Sequence, residues 1–494
     1  MLPVTALVGE AIAVLLLSRV LRIGRRPKNY PPGPPTLPSL GNIHQMPSQD
    51  AHLQFEKWAR EYGPIYSLIL GTKCLIILSS DEAVKELLDK RSGTYSHRPG
   101  LYIGQILCSG DLRMLMMFRK MVHGLTLRHP RISTLPNVGE PTNVVSVPDG
   151  ARRISEAHST ILQCPHDDDG FRMGWRTLTY EDEKMMQLFN GFSEFADLNQ
   201  TGTAAMIDFF PWLRKLPEFL LPAQQKAKDL HKKEKALYLS HWLRAKEEVQ
   251  QNTIKPCFSA GMYKAQKEDG FSDDQAAYIS GTLLEADSDT TSSTLYAFVQ
   301  AMLLYPDVQR KARKEIERAV GSGRLPVMED LSELQCVRGC MPTTILGAVP
   351  HAVTQDDEYK GPRVFNPDRY HDDYQSFGEA AANADPLKRD VFTFGAGRRI
   401  CPGIHVAERS LFLGMSRILW AFDITPETDT AGTPILPDPD RLTQGFVCMP
   451  EEFPVKITPR SQERADLVMS EWKEAEKECL DPKIRPWMQS PVEV

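Results

Sequence analysis

A single cysteine stands in a stretch of sequence that suits a thiolate metal ligand. The stretch FTFGAGRRICPGIHVAERSLF, residues 392–412, places Arg399 two residues before Cys401 and then takes on helical apolar spacing. A cysteine ligates iron only when it is deprotonated, so it needs positive surroundings. The preceding arginines supply them, as does the positive end of a helix expected to begin near Pro402. The pattern predicts Cys401 as the axial ligand of a haem iron; the alternative is a buried structural cysteine beside a basic loop.

Three neighbours of the cysteine have roles in this hypothesis. Gly397 and Gly403 carry no side chain, so loop and helix can come close to a flat macrocycle. Phe394 is placed to shield the sulfur. Each residue alone also fits an ordinary surface loop. The combined spacing, Phe394-x-x-Gly397-x-Arg399-x-Cys401-x-Gly403, is far more specific.

A second polar group interrupts an otherwise apolar helix pattern. Residues 277–304 have apolar positions at helical spacing, yet they contain the run EADSDTTSST. Asp, Ser and Thr side chains compete with backbone hydrogen bonds and can open a helix turn. A polar turn inside a buried helix suits proton transfer, for which Asp289 and Thr290 are the candidates. The alternative is an exposed helix face or a capping segment.

Composition excludes several functions. The 494 residues carry a net charge of −6, so a basic nucleic-acid-binding domain is not indicated. The nine cysteines are scattered and odd in number, which is not a disulfide framework. There is no Gly-x-x-x-x-Gly-Lys phosphate loop, and Gly395-Ala396-Gly397 is only half of a dinucleotide fingerprint. Electrons for redox chemistry must therefore come from another protein.

The N-terminus predicts attachment to a membrane. Residues 1–22 are mostly apolar. Arg22 ends this apolar stretch, and Arg25, Arg26 and Lys28 follow it. Because positive flanks stay cytosolic, we expect a membrane anchor helix with the rest of the chain in the cytosol. A cleaved signal peptide is the alternative, but it would carry its positive charges first. Residues 23–44 are basic and Pro-rich, which predicts a stiff hinge.

Beyond the hinge the pattern is mostly helical with a few strands. Residues 48–63, 79–93, 222–250 and 303–320 read as helices, and PIYSLILGTKCLIILSS reads as two strands around Gly71-Thr72. The expected fold class is mainly α with small β-sheets. Residues 45–494 are predicted to form one catalytic domain, in which 125–172 is anomalous because it has little periodicity and many turn residues. Its histidines match no structural zinc pattern.

The spacing around Cys401 resembles the cysteine-ligand loop of the cytochrome P-450 superfamily of haem-thiolate monooxygenases. EADSDTTSSTLYAFVQAML resembles the long central helix that crosses the haem face in that family, and FNPDRY resembles its Pro-x-Arg segment. The anchor, the Pro-rich hinge and YSHRPG are closest to fungal microsomal members that tailor secondary metabolites.

The resemblance implies the cytochrome P-450 fold and a haem cofactor whose fifth iron ligand is Cys401. It implies that Arg399 and Arg119 bind haem propionates, and that Asp289 and Thr290 supply protons during dioxygen cleavage. One oxygen atom would enter a small apolar substrate and the other would become water. The implied partners are NADPH-cytochrome P-450 reductase and the endoplasmic reticulum membrane, crossed once, with the catalytic domain cytosolic.

The family pattern is incomplete in several places. Only LQCVRGC precedes MPTTILGAVPH, where the family has a Glu-x-x-Arg helix, and a strand after Lys360 is missing too. Arg369 is then expected to lie buried near the cysteine loop without its carboxylate partner. Leu115 stands where a tryptophan is expected, and Asp287 where a glycine is. A second hypothesis is therefore an inactive or mis-spliced relic that binds haem poorly or not at all.

Overall fold

Helices make up most of the fold, as the sequence pattern predicts. The structure is a computed structural model that describes residues 4–47, 50–116, 139–141, 170–171, 183–200, 202–252, 258–348, 364–385, 393–443 and 447–479. In the first half the helices are α1 (Val4–Arg22), α2 (Ala51–Tyr62), α3 (Asp81–Val84), α4 (Ser92–Tyr95), α5 (Glu183–Gln200), α6 (Gly202–Phe209) and α7 (Pro222–Gln250). In the second half they are α8 (Phe258–Asp269), α9 (Asp273–Leu304), α10 (Pro306–Ala319), α11 (Gln335–Ala348), α12 (Phe377–Ala382), α13 (Ile404–Ala421) and α14 (Gln462–Cys479).

Short helical turns connect these helices. A π-helical stretch, Lys85–Lys90, continues α3, and another spans Tyr102–Leu107. The 3₁₀ turns are Ile43–Gln45, Met114–Met116, Pro211–Lys215, Glu218–Leu220, Met328–Ser332, Pro367–Tyr370 and Gly397–Arg399.

The sheets are small. Strands β1 (Ile65–Leu70) and β2 (Lys73–Leu78) pair antiparallel from Ile65↔Leu78 to Leu70↔Lys73. Gly71, at φ +59°, forms the predicted turn between them. Strands β3 (Gly139–Pro141) and β4 (Gly170–Phe171) pair parallel, and β5 (Phe422–Pro426) pairs antiparallel with β6 (Val455–Pro459). The predicted class, mainly α with small sheets, is confirmed.

The N-terminal segment is tied to the first sheet. Arg26 donates through Nε to the Ser67 hydroxyl at 2.8 Å and through its two Nη atoms to the carbonyls of Gly33 and Pro34. The Pro-rich segment is therefore held against β1. Among the described helices none combines the length and the apolar character needed to cross a bilayer, so the predicted anchor is not confirmed.

The long central helix α9 is confirmed, and its start has a capping box. The Ser272 hydroxyl accepts from the Gln275 N–H, and the Gln275 side chain accepts from the Ser272 N–H. The expected opened turn at EADSDTTSST is wrong, because the helix runs unbroken from Asp273 to Leu304. The Thr290 hydroxyl hydrogen-bonds the carbonyl of Ala286 within the helix and does not replace a backbone bond.

The main core lies where α9, α10, α11 and α13 pack together. It contains fully buried side chains from all four helices, including Phe298, Ile316, Val337 and Phe412. Apolar burial of this extent is the dominant stabilising term in a domain of this size. Because α13 is anchored in this core along its length, it gives the cysteine loop before it a rigid base.

The predicted surroundings of Arg369 need correction. Arg369 lies in the turn Pro367–Tyr370 and is half-exposed, not buried. Solvent screens a half-exposed cation, so the expected penalty of several kcal/mol does not apply. Glu315, the nearest Glu-x-x-Arg match, accepts a 2.8 Å hydrogen bond from the Cys336 N–H at the start of α11. It therefore caps that helix.

Some residues named in the predictions lie outside the described part of the chain. Arg119 and the segment 349–363, which includes the position of the missing strand, are among them. Of the anomalous residues 125–172, only the β3 and β4 pairs are described.

Candidate functional site

The cysteine loop is a tight turn that leads into α13. The Cys401 N–H donates to the Phe394 carbonyl at 2.8 Å, which closes the loop around the 3₁₀ turn Gly397–Arg399. Helix α13 begins at Ile404 with Gly403 as its N-cap, two residues later than expected from Pro402. A Cβ atom on Gly403 would lie 3.9 Å from the Cys401 sulfur. The half-exposed sulfur is therefore at the positive end of a buried helix, as predicted.

The loop is clamped by the helical segment that continues α3. The Gly397 N–H donates to the Asp89 carboxylate at 2.6 Å. Gly397 has φ +63°, and a Cβ atom there would lie 1.9 Å from the Leu88 carbonyl oxygen. No side chain fits in that space. The reason for glycine at 397 in this structure is this contact with the protein's own backbone, whereas the predicted approach to a macrocycle stays a prediction.

Phe394 supports the loop from the core side. Its ring lies 5.3 Å from the ring of Phe377, centroid to centroid, and both pack with the main core. The Phe377 N–H donates to the Glu408 carboxylate on α13 at 3.0 Å. These contacts fix Phe394 relative to α13; its shielding of the Cys401 sulfur stays a prediction.

Two arginines lie close together beside the loop. Arg399 is half-buried, and burial, together with the charge of Arg98, lowers its pKa. Burial also lowers the pKa of Arg98, whose Nε donates to the Leu115 carbonyl at 3.3 Å. Two neighbouring cations in a partly desolvated place form a favourable site for an anion.

The middle of α9 carries an exposed turn within a buried helix. From Gly281 to Leu303 most residues whose side chains are described are buried, yet Ala286 and Thr290 are exposed. The Thr290 hydroxyl donates to the Ala286 carbonyl at 2.7 Å, and the Thr294 hydroxyl donates to the Thr290 carbonyl at 2.9 Å. The side chains of Asp289 and Asp287 lie outside the described residues. Ala286 and Thr290 therefore form an accessible turn in a helix that is otherwise largely buried.

These features fit a haem with a thiolate ligand. Cys401 offers a soft ligand at a helix N-terminus, a position at which the helix dipole stabilises negative charge. Arg98 and Arg399 form a cationic pair that suits the two propionates of a haem. The backbone of the loop is held rigidly by Asp89 and Phe394. Arg399, Phe394, Gly397, Gly403 and Cys401 are thus brought together as predicted; the function of each stays a prediction.

Arg98 was missed by the sequence analysis. It lies in YSHRPG, about 300 residues before the cysteine loop, a segment whose sequence resembles fungal members of the family but assigns no role to the arginine. No periodicity marks it, because its role depends on the chain bringing it next to Arg399. A basic residue directly before Pro99, in a segment that cannot continue a helix, was the available signal.

Comparison with known proteins decides the family. The family model described as Cytochrome P450 matches residues 31–108, 172–342 and 343–457. The chain belongs to the cytochrome P450 family. The resemblance predicted from the cysteine loop is therefore confirmed.

Several relatives cover nearly the whole chain. The cytochrome P450 monooxygenase virE of Hypocrea virens is 43% identical over 517 aligned positions, with 94% of this chain and 91% of the relative covered. The cytochrome P450 monooxygenase fogE of Aspergillus ruber is 42% identical, with 93% and 92% covered. The relative fsoB of Humicola fuscoatra, also named a cytochrome P450 monooxygenase, is 39% identical, with 97% and 95% covered. These relatives confirm the predicted monooxygenase class, and nothing in them favours a relic.

The comparisons also bear on the incomplete family pattern. The alignment with virE spans 517 positions, more than the 494 residues of this P450, so the relative has residues where this chain has none. The family match breaks between Pro342 and Thr343. That break is within two residues of Met341, where the Glu-x-x-Arg helix was predicted to be missing. The structure corrects the prediction in part, because α11 runs through this position and lacks only the Glu-x-x-Arg residues.

Proposed function

We propose that this P450 is a haem-thiolate monooxygenase of fungal secondary metabolism that oxidises a small apolar substrate, with electrons from NADPH-cytochrome P-450 reductase. The observation that carries the proposal is the position of Cys401 at the N-terminus of α13, beside the Arg98–Arg399 pair. The relatives at 39–43% identity, all fungal and named monooxygenases, support it.

The protein's own residues have separate roles in this function. A bound haem supplies the iron at which dioxygen is reduced. Cys401 holds that iron as a thiolate, because the end of α13 and the arginines around the loop stabilise negative charge on sulfur. Arg98 and Arg399 hold the propionates by charge-assisted hydrogen bonds.

Proton supply falls to the exposed turn of α9. Thr290 presents its hydroxyl there, bonded to the Ala286 carbonyl, so it can accept a further hydrogen bond and pass a proton on. Asp289 is the proposed source of that proton, as the family resemblance implies. Most of the rest of α9 is buried, so bulk water is kept from the helix outside this turn.

The haem assignment is tested by spectroscopy of purified protein. We expect the reduced carbon monoxide complex of the wild-type chain to show a thiolate-type Soret band. Cys401→Ser should lose that band, because a hydroxyl does not replace a thiolate. Cys74→Ser, at an exposed cysteine of β2, is the matched control and should keep it. A thiolate band that survives in Cys401→Ser would refute the assignment.

Membrane association is a separate part of the proposal. Helix α1 exposes Val14 and Leu15, and the turns 211–220 expose Trp212 (61%) and Phe219 (81%). Apolar exposure on this scale marks an interaction surface. The Ser39 hydroxyl ties α1 to the Pro-rich segment through the Val20 carbonyl, at 3.1 Å.

A second hydrogen bond connects the first sheet to the other apolar region. The Thr72 hydroxyl, at the β1–β2 turn, donates to the Phe209 carbonyl at 2.7 Å. Since the Pro-rich segment is held on β1 by Arg26, the two apolar regions are joined through one sheet. We propose that both contact the endoplasmic reticulum membrane, with the catalytic domain in the cytosol.

Flotation with phosphatidylcholine vesicles tests this proposal. Wild-type protein should float with the vesicles. Deletion of residues 1–28 should remove most of the bound fraction, and adding Trp212→Ser and Phe219→Ser should remove the rest. Leu243→Ser, at an exposed apolar residue of α7, is the control and should float like the wild type. The proposal would be contradicted if the protein that lacks residues 1–28 and carries both serine substitutions floated at the wild-type level.

A further inference from the structure

A buried ionic cluster joins three separate parts of the fold. Arg113, on the segment that precedes the turn Met114–Met116, is 1% exposed. One of its Nη atoms donates to the Glu234 carboxylate of α7 at 2.6 Å, and the other donates to the Glu285 carboxylate of α9. Glu234 and Glu285 are 4% and 3% exposed. The guanidinium also stacks over the Phe195 ring of α5, 4.1 Å from its centroid.

The two carboxyl groups are not equivalent. Burial raises the pKa of Glu234 to about 8, although Arg113 lowers it, and the charge of Glu285 adds to the rise. The neutral form of Glu234 is therefore favoured relative to a carboxyl group in water. The two acids also differ in position, because Glu285 holds Arg113 to α9 and Glu234 holds it to α7. An uncompensated buried cation is strongly destabilising, whereas loss of a neutral hydrogen-bond partner costs much less.

The cluster is connected to two parts of the candidate site, the exposed turn of α9 and Arg98. Glu285 is the residue directly before Ala286, where the exposed turn of α9 begins. Arg113 is two residues before Leu115, which is exposed and whose carbonyl accepts from Arg98. The turn Met114–Met116 packs against α9. A shift of Arg113 would therefore move Leu115 and Arg98 relative to the α9 turn.

We propose that Arg113, held by Glu285, is a positioning residue that fixes Leu115 and Arg98 relative to the exposed turn of α9 and so sets the shape of the pocket for large ligands. The proposal rests on the proposed haem function. In this proposal the cluster controls which substrates fit. Packing alone does not need charged groups at these buried positions.

Two isosteric variants separate this role from a merely structural one. Glu285→Gln weakens the contact of Arg113 with α9, directly beside the exposed turn, while Glu234→Gln weakens the contact with α7 and leaves the contact with α9 in place. Each holoenzyme is titrated with imidazole, a small haem ligand, and with clotrimazole, a bulky one, and the Soret shift gives the two Kd values.

The two variants should differ sharply. Glu285→Gln should raise the Kd of clotrimazole about ten-fold and leave that of imidazole within about two-fold, and Glu234→Gln should leave both within about two-fold. Equal ratios of the two Kd values in all three proteins would overturn the proposal, even if the Tm of Glu285→Gln fell. A wild-type holoenzyme without any azole-induced Soret shift would overturn the haem function, and the proposal with it.

A third variant covers the case in which Glu285→Gln does not fold. Arg113→Lys keeps the charge but lacks the planar fork that reaches α7 and α9 together. Its clotrimazole Kd should lie above that of the wild type, by about three-fold or more, with imidazole unchanged. A lysine variant that matches the wild type for both ligands would show that the geometry of Arg113 has no part in shaping the pocket.

Discussion

At the scale of single residues, Glu234 makes stability depend on pH. Its pKa is 4.5 ordinarily and about 8 in the folded protein, because it is buried. The folded state therefore keeps a proton that the unfolded chain releases. The stability linked to this group is fully present below pH 4.5 and is lost as the pH rises through about 8, a change on the order of a few kcal/mol.

Glu234→Gln removes this dependence, since its amide does not ionise. We expect the difference in Tm between variant and wild type to grow in favour of the variant as the pH rises from 5 to 8. Differential scanning fluorimetry across that range measures it. Other titrating groups contribute equally in both proteins, so their effects cancel in the Tm difference. A difference that stays constant with pH would show that Glu234 is ionised throughout.

Thr290 is expected to control the coupling of electron use to product formation. Thr290→Ala removes the hydroxyl at the exposed turn of α9, so protons should reach the site less efficiently and peroxide should be released. A positioned proton donor contributes about 10²–10⁴-fold, so product per NADPH should fall by at least ten-fold.

The control for Thr290 lies one helical turn away. Thr294→Ala removes a hydroxyl that donates to the Thr290 carbonyl and is less exposed. It should leave the ratio of peroxide to product near the wild-type value. If the two alanine variants uncouple equally, the proton-supply role of Thr290 is wrong.

At the scale of elements, the contact between the cysteine loop and the segment after α3 depends on one glycine. Gly397→Ala would place a Cβ atom 1.9 Å from the Leu88 carbonyl oxygen at φ +63°, so the loop must move away from Asp89. We expect a large loss of haem per protein chain and a lower Tm. The left-handed conformation alone costs a non-glycine residue roughly 1–2 kcal/mol.

Gly395→Ala is the matched control in the same loop. Gly395 has φ +82°, and its added Cβ would meet the Arg399 carbonyl oxygen at an ordinary 3.5 Å. It therefore shares the conformational cost of Gly397→Ala without the clash, and it should lose much less haem and Tm, as measured by the ratio of Soret to protein absorbance and by thermal melting. If Gly395→Ala loses as much haem as Gly397→Ala, the contact with Leu88 is not the cause.

The elements themselves were largely predictable, since helix and strand patterns are local. The period of α9, the glycine after α2 and the β1–β2 turn are all encoded within a few residues. The ionic cluster was not predictable. Arg113 lies 121 residues from Glu234 and 172 from Glu285, so only the folded chain brings them together. The proximity of Arg98 and Arg399 was not predictable for the same reason, and of the two only Arg399 lies inside a recognisable motif.

At the scale of the whole molecule, the incomplete family pattern has a measurable effect. Because α11 runs unbroken through Cys340 and Met341, restored Glu-x-x-Arg residues between them would extend this helix. Together with the strand after Lys360, they should raise haem occupancy and Tm. Because Arg369 is half-exposed, we expect the ionic contribution to be about 1 kcal/mol or less, and the Tm shift to be no more than a few degrees.

A second insertion of equal length tests the ionic part. It carries Ala-x-x-Ala in place of Glu-x-x-Arg, so that helix length is the same and only the charges differ. The charged insertion should give the higher Tm and haem occupancy by absorbance. Equal values for the two insertions would show that chain length, and not the ionic network, is what this P450 lacks.

The hydrogen bond between Gly397 and Asp89 also sets an order of events during synthesis. The two residues are 308 positions apart. A ribosome that adds about 5–20 residues per second needs roughly 15–60 s to make that interval. The nascent chain therefore presents Asp89 and Arg98 to the cell long before the cysteine that completes the site exists. With Cys401 as the proposed ligand, haem capture follows the emergence of α13, and we expect a message that is cut short before it to yield a polypeptide that does not retain the cofactor.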